Sequence, residues 1–145
     1  MCRRTWYCLY VLDHLLALQL GRPAAIREEE FHVGFPYEVD ESYFDIDNDR
    51  VNTPPPNEPS QTSYIVEVAR FSTVLGRVMT RLYRPSQTEL SPDELLSTIA
   101  QLDNDLLAWK GNLLRHLRFD LGHTFENNAI FKRQVWNSQI AYEPN

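Results

Sequence analysis

The chain has 145 residues, 43% of them hydrophobic, with nine prolines, two cysteines and a formal net charge of −6. That length suffices for one domain with a core. Two cysteines are too few for the disulfide framework of a small secreted protein, and a reducing intracellular compartment is expected. The charge has a location: seven acids and one base fall within residues 37–60, and the remainder sums to zero. No block is basic enough for a dedicated nucleic-acid binder.

The first element is a helix over 3–20. Trp6, Tyr7, Leu9, Tyr10, Leu12, Leu15, Leu16, Leu18 and Leu20 leave it almost no polar face, and Asp13–His14 is its one ionisable break. A helix apolar all round is a buried one, so it is expected at the centre of the fold. It is short for a membrane span and carries charge near its middle. The same charge, with no small-residue cleavage site, argues against a signal peptide. Gly21 supplies a left-handed stop and Pro23 prevents the helix from resuming. Asp13, if buried, needs a partner, and Arg3, Arg4 and Arg22 are the candidates.

Phe31, Val33 and Phe35 alternate with His32 and Gly34, an extended pattern expected to tuck against the first helix. Residues 37–62 are acidic, then proline-dense, and read as a linker without stable order. A second helix is expected over 63–84, with Phe71 and Leu75 on its apolar face. Arg70, Arg77, Arg81 and Arg84 form a stripe opposite that face. The stripe is a candidate electrostatic contact, although a charged outer face is ordinarily just solvated. Ser91–Pro92–Asp93–Glu94 is a helix start. Leu95, Ile99, Leu102, Leu106 and Trp109 then recur at 4-3-4-3 spacing over 92–110 as one buried seam. A fourth helix over 128–141 presents Ile130, Phe131, Val135, Trp136 and Ile140. The fold class expected is all-α: an irregular helical bundle around a buried central helix, with a disordered acidic, proline-rich linker. Trp6, Leu12, Leu16, Phe71, Leu75, Leu102 and Trp109 are the expected core. The fourth helix is short, so cover for the first is insufficient, and the side carrying Leu9, Leu16 or Leu20 is expected to stay exposed.

Catalytic chemistry is not apparent. His116, His123 and Glu126 have loose metal-like spacing but no compact pair that sets two ligands on one helix face. Asp13 and His14 point about 100° apart on a helix and cannot serve one substrate together. There is no glycine-rich phosphate loop and no His-Glu-x-x-His. No catalytic, cofactor-binding or metal residue is assigned, and an enzyme is not expected.

The ordered set Arg3, Arg4, Trp6, Tyr7, Asp13, Leu20–Gly21–Arg22–Pro23, Ile26, Glu28 to Glu30 and Pro36 resembles a known pattern. It is similar to the regulatory, or middle homology, domain of fungal zinc binuclear cluster transcription factors, of the fungal-specific or xylanolytic activator type. That family has an Arg-Arg-x-Trp-Trp/Tyr helix with an internal Asp, then Leu-Gly-Arg-Pro, an Ile, and an acidic extended run ending in Pro. The Phe-Lys-Arg-Gln run at 131–134 resembles the opening of a long family helix, which here ends near residue 141. The resemblance implies that residues 1–145 are part of such a domain: a core helix and extended run over 1–36, a linker over 37–62 and three helices over 63–142. It implies a nuclear regulatory module that does not touch DNA itself. DNA contact, and zinc, are expected only in a cluster domain that this chain lacks. Protein partners, or missing parts of its own domain, are the expected contacts, and no membrane is. The alternative is an unrelated small helical protein-interaction scaffold.

Overall fold

The computed structural model describes residues 2–45, 50–53, 60–83, 91–119 and 129–142. Four helices carry the fold: α1 (Cys2–Leu20), α2 (Gln61–Leu82), α3 (Pro92–Asn112) and α4 (Ala129–Tyr142). Short 3₁₀ turns lie at Glu28–Glu30, Glu41–Tyr43 and Arg115–Leu117. One two-residue ladder, β1 (Phe44–Asp45) antiparallel to β2 (Arg50–Val51), sets Phe44 opposite Val51. The protein is all-α, with helix ends within two residues of those expected.

The helix ends follow local chemistry. Gly21 has φ +61. There the Arg22 N–H reaches the Ala17 carbonyl at 3.0 Å and the Gly21 N–H reaches Leu18 at 3.3 Å. This pair of bonds is a Schellman stop, which favours glycine because it has no Cβ to clash. At α3, Ser91 accepts from the Glu94 N–H while the Glu94 carboxylate accepts from the Ser91 N–H, a capping box. No described helix is long and apolar enough to cross a membrane.

The centre of the fold is α2, not α1. Val66, Ala69, Phe71, Ser72, Val74 and Leu75 of α2 are all buried. α1 lies along one side of it, in parallel: Tyr10 meets Thr73, and His14 meets Gly76. α3 lies along another, antiparallel: Trp109 Nε1–H donates to the Glu67 carbonyl, and Arg81 reaches Gln101. Two apolar clusters result. Tyr7, Tyr10 and Ala69 pack with Trp6, Val11, Ile26, Phe31 and Val33 on the α1 side. Phe71, Trp109, Leu113 and Leu117 pack with Tyr64 and Leu106 on the α3 side.

Several burial expectations are corrected by this arrangement. α1 buries Tyr7, Tyr10, His14 and Ala17, whereas Leu9, Leu12, Leu16 and Leu20 are 44–63% exposed, so the side carrying Leu9, Leu16 and Leu20 is open as expected while the core placement of Leu12 and Leu16 is not met. The buried set recurs at 3-4-3 spacing, so α1 has one inward face like any amphipathic helix. That face is marked by aromatic rings that both pack and hydrogen bond, not by leucines. Leu12 and Leu16 therefore lie outside the core, and Trp6 is only partly buried. Phe71, Leu75, Leu102 and Trp109 are buried as expected. On α3, Leu102 and Trp109 are inside, but Leu95 and Ile99 are 40% and 45% exposed. The antiparallel register explains the difference: Arg81, next to the end of α2, is opposite Gln101. The first turns of α3 run past that end and have no α2 beside them.

On α4 the inward residue is Gln134, whose Nε2–H donates to the Gln61 carbonyl at 3.3 Å. Trp136 and Ile130 point out. α4 meets the start of α2 and the 115–117 turn. The side chains of Phe131 and Ile140 lie outside the described residues. Of the expected linker, residues 46–49 and 54–59 lie outside the described residues, and the described parts carry specific bonds. Asn52 N–H bonds the Tyr43 carbonyl across the ladder, and Asp40 is tied to the start of α2.

Leu117 is fully buried and Leu16 is 44% exposed. Leu117→Ala is expected to cost about 2–5 kcal/mol, and Leu16→Ala no more than about 0.5 kcal/mol. Urea unfolding of the two variants beside the parent chain checks the contrast. Equal losses would place the leucine face of α1 in the core.

Candidate functional site

The residues of the recognised N-terminal pattern converge on one feature, the seam between α1 and the chain that follows it. Tyr7 O–H donates to the Val33 carbonyl at 2.6 Å, and its ring stacks on Phe35 with centroids 5.0 Å apart. Trp6 meets the edge of Phe31 at 5.4 Å. The Arg3 guanidinium lies over the Tyr37 ring at 5.9 Å. Arg4 donates to the Val39 carbonyl and lies over Phe44 at 5.2 Å. Pro36 is buried and Ile26 partly so. Asp13 does not pair with an arginine. Its Oδ2 accepts from the Ile26 backbone N–H at 2.9 Å. A half-turned chain leaving a helix strands backbone donors, and a carboxylate is the strongest acceptor available for one. Gly21, Arg22 and Pro23 make the turn that permits this return.

The arginines of α2 are laced into the protein. Arg70 bonds the buried Glu67, lies 3.9 Å from Glu38, and covers the Phe35 ring at 5.4 Å. Arg77 reaches Asp105 at 3.4 Å and Glu28 at 3.9 Å. Arg81 donates to Gln101 Oε1 at 2.7 Å. Arg84 lies outside the described residues. Arg77 thus bridges the 28–38 segment and α3, while Arg70 faces the 28–38 segment and Arg81 faces α3.

Asp40 is the anchor of the linker. Its carboxylate accepts from Ser60 O–H at 2.6 Å, from the Gln61 and Thr62 N–H groups at 3.2 and 3.1 Å, and from the Thr62 hydroxyl at 3.1 Å. Burial alone would raise its pKa, but these hydrogen bonds outweigh it and the carboxyl is held below its usual range. Glu67 goes the other way. Burial raises its pKa, only partly offset by Arg70. Burial also raises the Tyr7 and Tyr10 phenols, and the nearby Glu28 carboxylate adds to both shifts.

Two histidines, His14 and His116, are buried. His14 Nδ1–H donates to the Tyr10 carbonyl at 3.0 Å, and its Nε2 lies where a side chain on Gly76 would begin, 2.8 Å from an added Cβ. His116 Nε2 lies 2.8 Å from Ser63 Oγ. Ser63 donates its own proton to the Ser60 carbonyl at 2.6 Å, so His116 Nε2–H is the donor. A serine that accepts from histidine is not an activated nucleophile. The pair pins the 115–117 turn to the start of α2. His123 and Glu126 lie outside the described residues. Among the described residues no group of three or more His, Cys, Asp or Glu converges. Cys8 is a free, exposed thiol.

The outer face of α1 carries exposed leucines. Leu9, Leu12, Leu16 and Leu20 form one continuous stripe at 3-4-4 spacing.

Residues 1–111 match the family model described as fungal specific transcription factor domain. The chain is also 30% identical over 120 residues to the transcriptional activator protein acu-15 of Neurospora crassa, covering 81% of this chain and 12% of that protein. It is 29% identical over 111 residues to an ABC-transporter-regulating transcription factor of Aspergillus oryzae, covering 77% and 12%. It is 25% identical over 138 residues to the pyrimidine pathway regulatory protein 1 of Saccharomyces cerevisiae, covering 92% and 14%. No solved structure matches. The chain belongs to the fungal specific transcription factor domain family, which is a family of transcription regulators and not of enzymes. It spans 12–14% of the length of these three relatives.

A carboxyl whose pKa is depressed by folding contributes stability above its unfolded value, about 3.9, and loses it as pH falls through the folded value. The urea midpoint of the parent chain is therefore expected to fall below about pH 4. Asp40→Asn is expected to be less stable at neutral pH and to show a shallower acid decline. Parallel acid limbs for the two proteins would show that Asp40 does not carry this dependence.

Proposed function

We propose that this chain is a regulatory, non-DNA-contacting module of a nuclear zinc-cluster transcription factor, and that it works through protein contacts. The observation that carries the reading is the α1 stripe. Four half-exposed leucines share one helix face, with Trp136 also exposed on α4, and contiguous apolar surface of this kind marks interaction sites. Their natural cover is an apolar helical surface, from a partner protein or from further parts of the same regulatory domain. The engaged state of Arg70, Arg77 and Arg81 supports the absence of direct DNA contact, because phosphate binding needs cations free to displace the counterions condensed on DNA. Zinc, in this reading, belongs to the cluster domain of full-length family members. Cys2 and Cys8 are too few for a zinc cluster of that kind.

Two measurements test the reading. The purified chain is expected to bind a hydrophobic dye and to self-associate. Leu12→Lys with Leu16→Lys should abolish both while leaving the helical circular dichroism unchanged. At physiological salt the chain should not discriminate among DNA duplexes, and atomic absorption should find no stoichiometric zinc. Sequence-selective duplex binding, or a dye-negative monomer before mutation, would overturn it.

A further inference from the structure

Five outward positions of α1, Thr5, Leu9, Leu12, Leu16 and Gln19, recur at 4-3-4-3 spacing, and all five are exposed. This is the a/d rhythm of a short coiled-coil seam. Tyr7 and His14, one heptad apart on the opposite side, are buried against the rest of the fold. We infer that this seam pairs, in parallel, with the same seam of a second copy of the chain. The inference rests on the reading of the α1 stripe as a protein contact and names its partner.

The choice of partner follows from what the face lacks. In helix pairing of this kind, charges flanking the seam select a foreign helix. Here the flanking positions are Cys8 and Leu15 on one side and Asp13 and Leu20 on the other. Asp13 turns its carboxylate to the Ile26 N–H. The face offers no charge pattern for choosing a foreign helix, and none that repels its own copy.

The ends of the seam set the orientation. Parallel two-fold pairing places each residue against its own counterpart. Thr5 then meets threonine, Gln19 meets glutamine, and three leucine layers close between them. Antiparallel pairing sets a positions against d positions, so either Leu9 faces Gln19 or Leu16 faces Thr5. Only the parallel register matches polar with polar and apolar with apolar throughout.

The seam is also preorganised. α1 is already helical and is held by the Tyr7–Val33 and Asp13–Ile26 bonds. Pairing therefore avoids the cost of helix formation that defeats an isolated peptide of this length. The helix has 19 residues and is about 28 Å long. A contact confined to it is small beside the roughly 800 Å² per partner of a standard interface, so the dimer is weak and concentration-dependent.

Sedimentation velocity of the full chain, with dye binding measured in parallel, tests the inference. The parent is expected to show a reversible monomer–dimer equilibrium and nothing larger. Leu12 is half-exposed, so Leu12→Lys and Leu12→Glu should keep the parent's circular dichroism. Each puts like charges together in the central layer and should weaken the dimer at least about tenfold, and an equimolar mixture of the two should restore it. Leu12→Lys combined with Leu16→Glu, or with Leu9→Glu, would pair with itself only in an antiparallel dimer and is expected to stay monomeric. Dimerisation of either double variant, no recovery in the mixture, or parent assemblies beyond the dimer would overturn the parallel pair. A dye-binding parent that stays monomeric would overturn the second copy as partner and leave the protein-contact reading standing. A dye-negative monomer would overturn both.

Discussion

The fold depends on α2 being buried along most of its circumference. It presents a small-residue side to α1 and an aromatic side to α3. On the first, Gly76 lets His14 approach to a distance that a side chain would occupy, and Ala69 sits flush beneath Tyr7 and Tyr10. On the second, Phe71 meets Trp109 with centroids 4.9 Å apart. Small residues permit close helix contact and large rings fill the wider gap, so one helix can be shared by two clusters without a void. The polar groups buried with it are answered locally. Ser72 O–H returns to the Val68 carbonyl, and Ser63 joins His116 to Ser60. A shared wall of this kind makes the two halves interdependent, because both clusters take side chains from α2.

Around that wall, charge acts as lacing. α1 is held to the chain after it by Asp13 at Ile26 and by Arg4 at Val39. The 28–38 segment is held to α2 through Arg70 and Arg77, and α3 is held to α2 through Arg77 and Arg81. Exposed pairs of this sort contribute little stability each. Their effect is on register, since each fixes which turn of one element lies beside which turn of the next. The family pattern acquires a physical meaning from this. Its arginines, aromatics and internal aspartate are the parts that fold the chain back over α1. Gly21 makes the reversal and Asp13 satisfies a donor that the reversal strands.

The surface left over is informative because it is organised. Scattered exposed leucines are ordinary on any protein. Four at helical spacing, on a helix whose other face is closely packed, are a second apolar face. A helix with two apolar faces belongs between two layers, and the described residues supply one of them. The chain matches 12–14% of the length of its relatives.

Local sequence was sufficient for the elements and for the family. Helix ends were legible because Ser91, Pro92 and Gly21 act through their own backbone neighbours. The Arg3–Pro36 pattern was legible because its order is linear. The buried seam of α3 was half legible: Leu102 and Trp109 were placed correctly, and Leu95 and Ile99 were not. Periodicity identifies a face but cannot tell where the neighbouring helix stops. The same limit moved the centre of the fold from α1 to α2. Hydropathy ranks leucine above tyrosine and histidine, yet Tyr10 and His14 are inside and Leu12 and Leu16 outside. Which face of an all-apolar helix is covered depends on the partner it meets. Tertiary structure also paired Asp13 with a backbone N–H in place of an arginine, and tied Asp40 to a helix start more than twenty residues away. Those contacts join residues distant in sequence, and only the packed chain brings them within hydrogen-bonding range.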